Sequence, residues 1–376
     1  MKYVDSHEEA EFRARVREWL HDNIPAAPPP DHDERGNHYT RDWHRELYEA
    51  GWLGLSWPIE HGGQGLSPIY DAIVNEELGA CGAPSVRAIN HLARAFWTAG
   101  TEEQMKRFLP AMLRGDDQWC QGFSEPGAGS DLASLKMSAT RDGELYVLNG
   151  EKIWTSRAQW ADWCLVLARS DPQLPKREGI SCFAVDMNAP GITVRPLKQI
   201  WGTSEFNEVF FDDVKVSIDC RIGDEGAGWP LATSVLSSER SAADVGFVAS
   251  FRRVFDELDT LVTRERNLPA NAELQLETIY TAYEACRLHI YSTLSRRAGG
   301  QPSGAETSVD KLLMNRVIQM LGALELDLDF VPGLIGQRDE TTYRYLYGRA
   351  ASIYGGTEQV QRNIIAQRVL EMPRGR

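Results

Sequence analysis

Residues 119–132 read WCQGFSEPGAGSDL, a short strand-like run that breaks into a loop built around Ser124-Glu125-Pro126 and small residues. Glycines and alanines let such a loop turn tightly and leave its backbone N–H groups exposed. By spacing alone it is as consistent with an ordinary glycine turn. It matches neither the dinucleotide fingerprint G-x-G-x-x-G nor the phosphate loop G-x-x-x-x-G-K-[ST]. Downstream, LYVLNGEKIWTS (145–156) places Asn149-Gly150 between two apolar runs, the pattern that predicts a β-hairpin turn. WCLVLAR, ISCFAVDM, ITVRPL and EVFFDDVKV continue the strand-like period. Residues 116–222 are therefore predicted to form a middle β domain.

On either side the period changes to that of helices. Residues 8–24, EEAEFRARVREWLHDNI, put Phe12, Val16, Trp19, Leu20 and Ile24 on one stripe. Pro28, Pro29 and Pro30 then force a loop. Helical patterns return in WHRELYEAG, YDAIVNEELGAC and EEQMKRFLPAML, so 1–115 reads as an N-terminal helical domain. After GDEGAGW, long helices are predicted near 229–266, 270–298, 306–329 and 340–348. A last helix is expected over about 357–371, burying Val360, Ile364, Ile365 and Val369. Breaks at Gly299-Gly300 and Val331-Pro332-Gly333 make the long helices antiparallel neighbours, hence a C-terminal four-helix bundle over 223–376. The fold class is α+β, mostly α, in three domains.

Composition narrows the functional classes. A chain of 376 residues with 42% hydrophobic content can bury a large core. Its formal charge of −14 disfavours nucleic acid or an anionic membrane as partner, since phosphates are bound by clustered Lys and Arg. Six scattered cysteines (81, 120, 164, 182, 220, 286) form no C-x-x-C pair, and the eight histidines no H-x-H or H-x-x-x-H. No metal site is expected, and the cysteines read as reduced thiols. The start, MKYVDSHEEAEF, is charged, and no apolar run approaches the twenty or so residues that span a bilayer. A soluble, cytoplasmic protein is the expectation.

The pair FSEPGAGSDL and NGEKIWTS resembles the double signature of the acyl-CoA dehydrogenases, a family of flavoenzymes. The likeness extends through GWLGLSWPIEHGGQGLSP, ADWCLVLARSD, FNEVFFDDVKVSIDCRIGDEGAGW and YGGTEQVQRNIIAQRVLEMPR, most of the chain in the right order. It implies the acyl-CoA dehydrogenase fold and a bound FAD. Gln121, Gly122, Phe123 and Ser124 would line the flavin ring, and Trp154, Thr155 and Ser156 would cover its other side. Thr357 joins the cofactor contacts. Ser130 falls where the family meets the pantetheine arm of an acyl-CoA, with Arg240, Tyr354 and Gly356 beside the substrate. Arg157 departs from the small residue or Asn usual after the W-[IT]-[TS] triplet. It is either a solvated arginine or a contact for flavin, substrate or electron acceptor.

A second departure concerns the catalytic base. Many family members carry it as the Glu of Y-E-G-T, where this chain reads Tyr354-Gly355-Gly356-Thr357. A minority carry it as the Glu of an E-R pair about a hundred residues upstream, and VLSSERSAADVG supplies Glu239-Arg240 in that context. The resemblance thus implies Glu239 as base, with the Gly355 backbone N–H polarising the thioester carbonyl. The cross-subunit motifs R-x-x-F-G and Q-x-x-G-G of homotetrameric members are absent from FDELDTLVTRERNLPA and DLDFVPGLIGQRDETT, and the spacing does not establish Arg264 or Arg266 as stand-ins. A related second subunit would then complete the FAD site in an α₂β₂ heterotetramer, the alternative being a homo-oligomer. Electrons would pass to an electron-transferring flavoprotein, or to O₂ in an oxidase. A non-catalytic scaffold subunit is the reading from another class.

Overall fold

The structure, a computed structural model, describes residues 4–26, 33–84, 89–238, 243–264, 269–301, 304–328 and 340–373. Glu239, Arg240, Arg266, the Pro28–Pro30 run and the Val331-Pro332-Gly333 break lie outside them. The first helices are α1 (His7–Asn23), α2 (Glu34–Glu49), α3 (Pro68–Cys81), α4 (Asn90–Ala99) and α5 (Glu102–Arg114). Eight strands follow: β1 (Trp119–Gly122), β2 (Ser138–Asp142), β3 (Leu145–Ser156), β4 (Trp163–Arg169), β5 (Ile180–Asp186), β6 (Ile192–Leu197), β7 (Phe206–Ser217) and β8 (Arg221–Ile222). The rest is helical: α6 (Gly228–Ser238), α7 (Ala243–Arg264), α8 (Ala272–Ala298), α9 (Thr307–Leu328), α10 (Glu340–Ala351) and α11 (Glu358–Ile364).

Two compact units arise. One is helical and gathers three separated stretches, Met1–Pro28, Leu66–Ser85 and Arg240–Arg376. Its α1 opens on a capping box in which Ser6 Oγ accepts from Glu9 N (3.3 Å) while Glu9 Oε2 accepts from Ser6 N (2.6 Å). Such reciprocal satisfaction of end groups is worth about 1 kcal/mol. Phe12, Val16 and Leu20 are buried as their spacing predicts, whereas Trp19 and Ile24 are half-buried. The core of this unit joins Ala72 of α3 to Val245, Phe251 and Leu258 of α7, Ile279 and Ile290 of α8, and Val317 and Leu321 of α9. The final helix differs from expectation. It ends at Ile364 and widens into a π-helical turn over Ile365–Val369. Val360, Ile364 and Ile365 are half-buried and Val369 is exposed, so that stripe is only partly covered among the described residues; the side chain sealed in is the polar Gln361.

The other unit spans Pro29–Gly65 and Val86–Glu239 and holds the sheet, in the order β6-β7-β3-β2-β4-β5-β8, with β1 alongside β4. The β1–β4 and β2–β4 pairings are parallel and the others antiparallel. β4 and β5 are buried on both faces, as their near-continuous apolar runs require. The helix expected over 229–266 is described as two, α6 and α7, one in each unit.

Asn149-Gly150 is not a hairpin turn. β3 runs unbroken through it, and the reversal into β3 occurs at Gly143 (φ +61°). The pair instead marks a β-bulge, where the β3–β7 register shifts between Leu148 and Gly150. A Cβ on Gly150 would stand 2.8 Å from the Cα of Met137, so the glycine serves close backbone approach. The local turn signal was outweighed by a twelve-residue strand with a partner along most of its length.

Candidate active site

In the sheet unit, the loop after β1 and the end of β3 are tied into one body. Ile153 N donates to Ser124 O at 3.0 Å. Beneath that bond lies a fully buried ion pair: Lys152, 0% exposed, places Nζ 2.8 Å from Glu125 Oε1 and 3.1 Å from Phe123 O. Glu125 closes the loop on itself, accepting from Lys136 N (2.6 Å, Oε2) and Met137 N (2.9 Å, Oε1). Burial pushes the Lys152 ammonium below the ordinary lysine range, and the Glu125 carboxylate pulls the other way. These two residues were not singled out in the sequence, although a signal existed. Alternation from the inward Tyr146 and Leu148 puts Lys152 on the same buried phase, and a buried ammonium needs a carboxylate.

The sequence-predicted residues sit on this frame. Gln121 is half-buried on β1, and a Cβ at the buried Gly122 would come within 2.9 Å of Cys164 Sγ. Phe123 is in the core and Ser124 half-buried, while Ser130 is exposed on the loop. At the end of β3 the side chains alternate. Trp154 is 59% exposed, Thr155 is buried and Ser156 is exposed. Thr155 O accepts from Asn207 Nδ2 at 2.9 Å, but its hydroxyl is sealed in without a partner among the described residues. Trp154 (φ +61°) and Arg157 (φ +57°) both occupy the left-handed region, costly for side chains of that bulk. Arg157 N donates to Glu205 O at 2.6 Å, which fixes the backbone, and its guanidinium has no partner among the described residues.

A large exposed indole held in a strained backbone, with the unpartnered hydroxyls of Ser124 and Ser156 near the tied strand end, suits a planar aromatic ring with a hydrogen-bonding edge. The residues present therefore fit a flavin. Among the described residues no His, Cys, Asp or Glu cluster suits a metal ion, and no helix is long and apolar enough to cross a membrane.

In the helical unit, α10 and α11 are joined by the turn Tyr354-Gly355-Gly356-Thr357. Both glycines adopt positive φ, +63° and +87°. Thr357 caps α11, its Oγ1 accepting from Val360 N at 3.3 Å. The half-buried Tyr354 ring lies 4.0 Å from Lys311 Nζ of α9, and a Cβ at Gly355 would stand 3.7 Å from the same nitrogen. The position thus adjoins a buried ammonium. Gln361, also missed in the sequence, completes the turn by donating Nε2 to Gly355 O (2.8 Å) and Gly356 O (3.4 Å).

Comparisons with known proteins agree along the whole chain. Models for the N-terminal, middle and C-terminal domains of acyl-CoA dehydrogenases match residues 6–116, 120–214 and 226–370. Acyl-CoA dehydrogenase IpdE1 of Mycobacterium tuberculosis is 39% identical over 97% of this chain and 98% of its own length. FadE34 of the same organism is 38% identical over 87% of this chain, which spans 46% of that longer protein. Among solved structures, the steroid acyl-CoA dehydrogenase Tcur3481–Tcur3483 superposes with a TM-score of 0.85 at 28% identity, covering both chains fully. The ChsE4–ChsE5 complex of M. tuberculosis gives 0.84 at 28%, again over all of both chains.

Proposed function

Because this chain belongs to the acyl-CoA dehydrogenase family, whose members are FAD-dependent flavoproteins, we propose that it removes the α and β hydrogens of an acyl-CoA thioester with Glu239 as base. The observation that carries this assignment is the turn at 354–357. It has the family's shape of sequence but a left-handed glycine in place of the carboxylate. Glu239 takes the Cα proton, and the Gly355 N–H donates to the thioester carbonyl as negative charge grows on its oxygen. A bound FAD would supply the acceptor for the Cβ hydride, with an electron-transferring flavoprotein as the electron acceptor beyond it. Ser124 and Ser156 would hydrogen-bond its ring edge, Trp154 would cover a face, Gln121, Gly122, Phe123 and Thr155 would supply backbone and packing around it, and Thr357 would be a further cofactor contact. Ser130, Arg240, Tyr354 and Gly356 hold the thioester and its pantetheine arm. The test is Glu239→Gln assayed by anaerobic flavin bleaching. Reduction is expected to fall by at least about 10³-fold with FAD retained; near-normal bleaching overturns the assignment.

We also propose that the working assembly pairs this chain with a related subunit that completes the FAD site. Two observations support it: the missing cross-subunit motifs, and likeness to solved structures named as two-component assemblies, one of them a steroid enzyme. Bulky, steroid-derived acyl groups are the favoured substrate class, and a glycine at 355 leaves them room. The chain made alone should hold FAD substoichiometrically. Full occupancy without a partner contradicts the mixed assembly.

A further inference from the structure

Two consecutive glycines are a poor way to fix a peptide group. Each lacks a Cβ, so the Gly355 donor has more backbone freedom than it would beside a larger residue. Among the described residues, a polar side chain restricts this freedom. Gln361 is 1% exposed, on the first turns of α11, and its carboxamide nitrogen reaches back to the carbonyls of both glycines, 2.8 Å to Gly355 O and 3.4 Å to Gly356 O. Two acceptors on one side require the nitrogen there, so the amide orientation is determined. Its oxygen is left buried without a partner among the described residues, an unfavourable arrangement. The fit is close: a Cβ on Gly356 would come within 2.5 Å of Nε2. Opposite, the α9–α10 contacts are antiparallel. Gly322 lies against Tyr345, Gln319 Nε2 donates to Gly348 O, and Lys311 adjoins Gly355. The turn is therefore held between a helix that supports it and a carboxamide that sets its twist.

We propose that Gln361 is a positioning residue for the thioester, fixing the double-glycine turn so that the Gly355 N–H is presented as an oxyanion donor. The inference rests on the acyl-CoA reading above. Gln361 touches neither substrate nor cofactor; it acts through the backbone it holds.

The test separates proton removal from redox chemistry with an arylacetyl-CoA, which has acidic α-hydrogens but no β-hydrogen to give up. Exchange of those hydrogens with D₂O is followed by NMR on the FAD-loaded assembly, alongside flavin bleaching with an oxidisable acyl-CoA. Gln361→Met keeps the bulk and removes the donor, and Gln361→Glu substitutes an acceptor that repels both carbonyls. In both, exchange and the limiting bleaching rate should fall together by about 10- to 100-fold, the penalty of a donor displaced by a fraction of an ångström to an ångström. In Gln361→Met, KM and thermal midpoint should stay near those of the parent, whereas the unpartnered buried carboxylate of Gln361→Glu should also lower the midpoint. Gly356→Ala attacks the same contact from the turn and should reproduce the loss, which keeps the idea testable if a Gln361 variant fails to fold. Parent-like exchange per folded site in Gln361→Met, whatever its thermal midpoint, overturns the proposal. Glu239→Gln distinguishes the two levels. If it abolishes exchange while Gln361→Met does not, only the positioning role fails; if it leaves exchange intact, the base assignment itself is wrong.

Discussion

The glycine-rich loop of the sheet unit and the double-glycine turn of the helical unit solve one problem in opposite ways. Both must hold exposed backbone groups still. The loop is fastened by charge: one carboxylate accepts from a buried ammonium and two backbone N–H groups at 2.6–2.9 Å. The turn is fastened by a neutral carboxamide on two carbonyls. Removing one member of a buried ion pair strands the other in a low-dielectric interior, whereas removing a neutral donor forfeits only neutral hydrogen bonds. Damage to the loop should therefore register as lost stability, and damage to the turn as lost rate with the fold intact.

The widest separation comes from Lys152→Met. It leaves Glu125 buried beside two N–H donors but without its countercharge, and should lower unfolding free energy by about 3–5 kcal/mol in urea titration. Adding Glu125→Gln removes the stranded charge, so the double variant should recover a substantial part of that loss. A single Lys152→Met loss below about 1 kcal/mol would show that charge is not what holds the loop, and the contrast between the two regions would collapse.

At the turn, Gly355→Ala should cost only about 1 kcal/mol, the price of a non-glycine residue at φ +63°. Steric conflict adds little, since the added Cβ meets nothing closer than Lys311 at 3.7 Å. A loss of several kcal/mol would mean that the turn is as rigidly built as the loop.

These regions also mark how much the sequence made legible. Helical stripes, the sheet and the paired signatures were readable because period and glycine spacing are local. Phe12, Val16 and Leu20 were found inside on spacing alone. The Asn149-Gly150 bulge was not, because whether that pair turns or bulges depends on a partner strand about sixty residues away. Nor was Gln361, a polar residue whose partners are carbonyls that carry no sequence signature. Glu125 and Lys152 lay within both quoted motifs, yet their pairing is visible only once β3 lies alongside the loop. That a carboxylate stands at 239 and none at 355 was legible as a sequence fact; the role of Glu239 as base is a proposal.

The smallest effect lies beside the turn's support, on α9. His289 Nδ1 is 2.6 Å from Oδ1 of the buried Asp310, whose other oxygen accepts from Thr293 at 3.0 Å. The hydrogen bond to that carboxylate holds the imidazole above its ordinary range, with burial opposing. A pKa raised in the folded state means the native protein binds the proton more tightly than the unfolded chain. The stabilisation is therefore fully present below about pH 6.5, the ordinary histidine value, and fades as pH rises through the raised one. The ring is partly exposed, so solvent screening limits the gain to about 1 kcal/mol or less. Unfolding free energy measured from pH 5.5 to 8.5 should fall by that amount more in the parent than in His289→Gln. Equal slopes would show that Asp310 is held by Thr293 and its surroundings without help from the imidazolium. The neighbouring Lys311 would then stand on a neutral, pH-indifferent support, and the helical unit would contrast with the charge-fastened loop more sharply still.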